Sequence, residues 1–242
     1  MQVTGSNSEN DKKILSVRLR QGGLSFYLAD DEGTMQYGID FRKEASPAGQ
    51  IARMTARLRS DFDLVQVFAD TDRTLFVPAD LLAEADPEEL LRRAGIVPDP
   101  TRTVVVAEAV EEVSAVMAVE TAAIEALRLL PVRRMRFYSP LQELLAAWRR
   151  EPVAGGGWMV YPTGDNFYVT RYGTDGKLAL AEVCPGRETA DLVWYLTALT
   201  EGERRDRMAV YLYGDGTEVD LARLRRYFRG AQRWSDIRKG GR

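Results

Sequence analysis

The apolar positions change period along the chain, and those changes predict its elements. In ILSVRL, Leu15, Val17 and Leu19 alternate with polar neighbours, the two-residue period of a strand with one buried face. LSFYLA resumes that period after Arg20-Gln21-Gly22-Gly23, which predicts a hairpin around the two glycines. A third strand is expected from Met35 to Phe41, after the acidic turn Asp30-Asp31-Glu32-Gly33. Ser46 before Pro47 is an N-cap followed by a residue that needs no donor, and Ile51, Met54 and Leu58 recur at helical spacing to Arg59. The chain opens β-β-β-α.

LVQVFA and TLFVP read as two strands around the polar turn Asp70-Thr71-Asp72. Asp86-Pro87-Glu88-Glu89 starts a short helix, with Asp86 as cap and Glu89 in a capping-box contact, and Gly95 closes it. TVVVAEA and VSAVMAV are expected strands, Glu120 to Leu130 a helix, and RRMRFY another strand. A helix capped at Ser139-Pro140 then runs to Arg150. Ala154-Gly155-Gly156-Gly157 reads as a flexible joint. After it the opening pattern returns: WMVYP, Thr163-Gly164-Asp165, NFYVTRY, then Asp175-Gly176 as a type I′ turn and KLALAEV. A helix from Arg187 to Leu199 is expected to bury Leu192, Trp194 or Tyr195, Leu196 and Leu199, and the strand MAVYLY follows. Asp220 caps a last helix, with Leu221, Leu224 and Phe228 on one face and Arg225, Arg229 and Arg233 on another. The reading is therefore a disordered leader over 1–11, a first lobe over 12–152, a second lobe over 153–230 and a basic tail over 231–242.

Two lobes that each open with three antiparallel strands and continue with alternating helices predict an α/β protein of two ribonuclease-H-like lobes. This is the architecture of actin, hexokinase and Hsp70. From about Lys12 to Gly230 the chain resembles an uncharacterised bacterial family of unknown function (DUF thirty-eight twenty-two). The stretches that carry the resemblance are LSVRL with GGLSF, LFVPADLL with DPEELL, and GKLALAEV, ETADLVWYL and YLYGD. That family is similar to actin-like ATPase lobes, above all the cytoplasmic components of type II secretion and type IV pilus assembly platforms. The resemblance implies an interaction or assembly module, in the cytoplasm, whose protein partner is an envelope or secretion/pilus assembly component.

Actin-like ATPases hold Mg²⁺ through a carboxylate near the end of the first strand of each lobe, and offer backbone N–H groups to phosphate from the following turn. Here Arg18 stands near the first of those positions. Tyr161 stands near the second, followed by Pro162, which has no N–H to give. A ribonuclease-H-type nuclease would need several carboxylates from the first strand onward, and fails on the same positions. The expectation is a degenerate, non-catalytic site with no catalytic, cofactor-binding or metal-binding residue. The alternative is a divergent ATPase or kinase-like phosphotransferase using Gly22, Gly23, Gly164 and Gly214 around a shifted phosphate site, with Asp165 as metal ligand.

Composition narrows this further. Among 242 residues there is no histidine and one cysteine, Cys184, which removes Ser-His-Asp and Cys-His catalysis, His-ligated metals and an internal disulfide. Phosphoryl transfer does not need histidine, so the alternative survives. No GxxxxGK[ST] or GxGxxG loop occurs, and Gly155 to Gly157 lacks a following helix start. Asp70 with Asp72 reads as a turn, Glu108, Glu111 and Glu112 as a solvated junction, and Cys184 as a small core residue. From Arg223 to the C-terminus eight Lys or Arg stand against Asp236, leaving −10 before it. The chain as a whole is acidic, with a net charge of −3, so nucleic acid is not the expected partner. No apolar run is long enough to cross a membrane.

Overall fold

A computed structural model describes residues 14–30, 33–40, 49, 62–97, 99–110, 112–130, 132–201, 204–214 and 219–236. The chain divides into two compact units, Gln2–Ser139 and Pro140–Arg242. Apart from Gly49, the helix expected over Ser46 to Arg59 lies outside the described residues.

In the first unit, β1 (Ile14–Arg20), β2 (Gly23–Asp30) and β3 (Gly33–Asp40) form the expected antiparallel meander. Next come β4 (Leu64–Ala69), parallel to β1, and β8 (Met135–Tyr138), parallel to β4, giving the order β3-β2-β1-β4-β8. The alternation in β1 does what its period predicts: Leu15, Val17 and Leu19 are buried, with Val65 and Val67 beside them on β4.

Between β4 and β8 the chain builds a second, three-stranded antiparallel sheet. It consists of β5 (Thr74–Pro78), β6 (Arg102–Val106) and β7 (Val113–Glu120), ordered β5-β7-β6. β7 is apolar on both faces because both are covered. Ala115, Met117 and Val119 join the core of the larger sheet, while Val116 and Ala118 face Val77 and Leu91. Leu91 comes from α2 (Pro87–Arg93), which follows the short α1 (Ala79–Glu84), and α3 (Thr121–Leu127) sends Ala123 and Leu127 into the main core. Asp86 caps α2, its carboxylate accepting from Glu88 N at 3.2 Å. Glu89 does not close a capping box, because its carboxylate is taken by Arg92 and Arg93.

The second unit repeats the frame. β9 (Gly157–Pro162), β10 (Asn166–Tyr172) and β11 (Leu178–Pro185) are antiparallel, β12 (Ala209–Leu212) runs parallel to β9 and β13 (Gly230–Arg233) parallel to β12. The order β11-β10-β9-β12-β13 matches that of the first unit strand for strand. One sheet face (Trp158, Val160, Phe167, Val169, Val210, Leu212) meets Leu192 and Leu196 of α5 (Thr189–Leu199) and Leu224 of α6 (Leu221–Arg225). On α5 the Trp194-or-Tyr195 expectation resolves to Tyr195, which is half-buried against this core; Trp194 is exposed.

Four sequence expectations are corrected here. The helix over Pro140–Arg150, α4, belongs with the second unit: it packs on β9 and β10 and stacks Trp148 on Tyr172 with ring centroids 4.0 Å apart. The glycine run after it is therefore no joint between lobes, since a side chain at Gly156 would lie 2.4 Å from the Tyr172 and Gly173 carbonyls. At Asp175-Gly176 only the glycine has positive φ, and a five-residue loop closes through Gly173 N donating to Lys177 O at 2.9 Å. That excludes a type I′ turn, which needs positive φ at both central residues. Finally, residues 230–233 are a fifth strand and not the start of a tail, so Arg225, Arg229 and Arg233 share no helix face. Arg225 closes α6 and donates from Nε to Ala231 O at 2.8 Å.

Candidate functional site

The candidate site of each unit is the turn between its first two strands, and strand register shows which residues correspond. Asp70 N donates to Leu19 O and Tyr213 N to Val160 O, both at 2.8 Å, at the ends of equivalent parallel strand pairs. Leu19 thus corresponds to Val160, Arg20 to Tyr161, and Asp70 to Tyr213. Arg18 corresponds to Met159. The residue matching Tyr161 in the first unit is therefore Arg20, two positions beyond the one that sequence pattern suggested. A cationic or phenolic side chain occupies this position in each unit.

In the first turn, Gly22 takes φ +78°, a conformation that costs glycine nothing. Its N–H is already engaged, donating to Glu120 Oε1 at 3.2 Å across 98 residues of sequence. Glu120 ends β7 and lies opposite Arg102 in that ladder. In the second turn, Thr163 N and its hydroxyl both donate to Asn166 O, at 2.9 and 3.1 Å, and Gly164 sits at φ +99°. The Asp165 carbonyl accepts from Gly186 N at 3.0 Å, and its carboxylate lies 2.5 Å from Arg187 Nη2. The proposed metal ligand thus has a guanidinium as its neighbour, and Gly214 at φ +81° closes against the Tyr161 ring.

No protein-family model matches the chain, and none of the curated proteins does. Solved structures do match over nearly its whole length. A protein from Bacteroides thetaiotaomicron described as having an actin-like ATPase fold and unknown function is 15% identical, with a TM-score of 0.71 over 93% of this chain and 91% of that one. A PilM-PilN type IV pilus biogenesis complex matches at 14% identity, with a TM-score of 0.56 over 93% and 88% of the two chains. The cytoplasmic domain of EpsL, an inner membrane component of the type II secretion system of Vibrio cholerae, matches at 15% identity over 92% and 88%, with a TM-score of 0.45. The chain has the actin-like ATPase fold.

Within that fold the remaining candidates are dispersed. Asp70 is buried at the end of β4 whereas Asp72 is exposed, and the turn between β4 and β5 is built by Thr71 and Thr74, whose hydroxyl donates to Thr71 O at 2.7 Å. Glu108 Oε1 lies 3.7 Å from Arg136 Nε, the Glu112 carbonyl accepts from Ala79 N at 2.7 Å, and Glu111 lies outside the described residues. Cys184 is buried on β11, and desolvation together with nearby Glu182 pushes its thiol up to about 12, so it carries no thiolate near neutrality. Among the described residues no three carboxylate or thiol groups gather as a metal site. Sequence reasoning missed Glu120. An acid between an apolar strand and a helix reads as an ordinary first-turn residue, and nothing local signals a partner so distant.

Proposed function

We propose that this chain is a degenerate, non-catalytic actin-like protein that acts as an interaction or assembly module for a protein partner. The observation that carries this reading is the Glu120 carboxylate on Gly22 N–H. A phosphate-binding turn works by presenting unoccupied donors to an anion. Here the chain's own anion holds that donor, and an incoming phosphate would meet a fixed negative charge as well as a lost hydrogen bond. Arg20 and Tyr161 support the same reading, because neither side chain can bind a Mg²⁺ ion or its waters as a carboxylate does. Asp165 beside Arg187 weighs against the phosphotransferase alternative.

The structural likeness to a PilM-PilN type IV pilus complex, in which a protein of this fold associates with another protein, is the ground for expecting an envelope or pilus-type assembly partner and a cytoplasmic setting. Among the described residues no helix is long and apolar enough to cross a membrane.

Thermal unfolding with and without ATP and Mg²⁺ tests the reading. A nucleotide at a hundred times its dissociation constant would stabilise the fold by about 2.7 kcal/mol and raise Tm by several degrees. The expected outcome is no shift and no phosphate release. Nucleotide-dependent stabilisation accompanied by turnover overturns the proposal.

A further inference from the structure

Helix α5 has an apolar inner face and an apolar outer one. Leu192 and Leu196 are fully buried against the sheet, yet the opposite face carries Ala190, Trp194 and Ala198, all exposed, and Asp191 in the first turn is the helix's only charged residue. A helix that is apolar all round is normally covered on all sides. Trp194 is 65% exposed, whereas the other tryptophans, Trp148, Trp158 and Trp234, are at 3%, 2% and 6%. Among the described residues its one ring contact is with the adjacent Tyr195.

The neighbouring helix supplies the chemistry of the rim. Asp220 N donates to Thr189 Oγ1 at 2.9 Å, which fixes the start of α6 beside the start of α5 over the shared core. Arg223 and Arg226 follow within two turns, both exposed, and their side chains make no hydrogen bond or ion pair among the described residues. An apolar stripe centred on a tryptophan, with small residues on either side and exposed arginines on the adjoining helix, has the composition of a protein interface core and its rim. The small side chains at 190 and 198 leave room for a second helix backbone to approach.

We propose that the outer face of α5, bordered by Arg223 and Arg226, docks an amphipathic helix of a protein partner whose apolar stripe covers Trp194 and whose flanking carboxylates pair with the two arginines. This rests on the reading of the chain as an interaction module and gives the partner's surface its chemistry. Charge complementarity selects an acidic helix with carboxylates along both flanks of its apolar stripe; a second copy offers only Asp191 within α5, its exposed Glu188 and Glu201 lying beyond the two ends of the helix.

The test uses the full chain and a synthetic amphipathic helix about five turns long, with leucines at helical spacing and glutamates on both flanks. Acrylamide quenching isolates Trp194, the one exposed indole. The acidic peptide is expected to protect that fluorescence, and a version with lysines for glutamates is not. With a labelled peptide, Trp194→Ala and the pair Arg223→Glu, Arg226→Glu should each weaken binding at least about tenfold, with unchanged circular dichroism showing that the variants fold. Equal protection by both peptides, or by neither, overturns the proposal. So does protection that rises with protein concentration alone, which assigns the face to a second copy, or protection by phosphatidylserine vesicles but not by the peptide, which assigns it to a lipid surface. ATP binding by the same sample would refute the non-catalytic reading and leave this result standing.

Discussion

The two units share one five-stranded frame and differ in what closes its first turn. In the first, the turn's free N–H is held by a carboxylate delivered from the far end of the inserted sheet. In the second, the described residues between β12 and β13 form only α6, and the turn folds back on its own carbonyl at Asn166. The strand ends diverge in the same way. Arg20 and Asp70 bring charge to positions where the second unit has Tyr161 and Tyr213, packed edge to face at 5.2 Å. Burial and nearby Glu143 push the Tyr213 phenol up to about 12, so that end stays neutral over the physiological range. A common backbone frame thus reaches a similar outcome, a turn with one backbone donor engaged, by a long-range side chain in one case and by local backbone in the other.

The comparison can be broken from either side, and all four tryptophans lie in the second unit, so tryptophan fluorescence, excited beyond the tyrosine band, follows that unit alone. The largest effect is expected for Leu196→Ala, which empties a fully buried site under α5 and should cost about 3 kcal/mol, read as an earlier fluorescence transition in urea. If the loss appears only in the circular dichroism of the whole chain and not in tryptophan emission, the placement of α5 on this sheet is wrong. A smaller change is expected for Glu120→Ala. Losing one charge-assisted bond to Gly22 should destabilise the first unit by about 1.5 kcal/mol and leave the tryptophan transition in place. The same variant should take up inorganic phosphate no better than Glu120→Gln if the turn retains no anion affinity, and a clear gain for Ala over Gln shows that Glu120 alone blocks the site.

The smallest effect lies at the start of α5. Asp191 accepts from the N–H groups of Arg187 and Glu188, both at 3.0 Å, and the Glu188 bond leads in holding its carboxyl below the usual range. A depressed folded pKa contributes stability that is complete above the ordinary carboxylate range and is lost as pH falls through the folded value. Asp191→Asn should therefore lower the second unit's stability near neutrality, leave it unchanged at acid pH where Asp191 is protonated, and so flatten the acid side of the profile. An unaltered acid limb would show that the helix start does not depend on that carboxylate.

Much of the frame was legible because strands and helices announce themselves through local period. Leu15, Val17 and Leu19 defined the first strand, and Asp86 and Asp220 marked helix starts that the structure confirms through bonds to Glu88, Ala222 and Arg223. The last strand, GAQR, escaped because four residues with one buried apolar side chain carry no alternation to detect. The side of the boundary to which α4 belongs was equally hidden. An apolar helix face records that it is covered, not by which sheet.

The sequence by itself determined the three-stranded opening of each lobe, the absence of histidine chemistry and the lack of a carboxylate at the ends of β1 and β9, since each is a matter of residue type and short-range spacing. Only the tertiary structure decided that Arg20 and not Arg18 corresponds to Tyr161, that Glu120 holds Gly22, and that Trp194 faces outward while Tyr195 turns toward the core. The reason is physical. Register between parallel strands, and hydrogen bonds that span 98 residues, depend on packing among distant segments, and no local propensity carries that information.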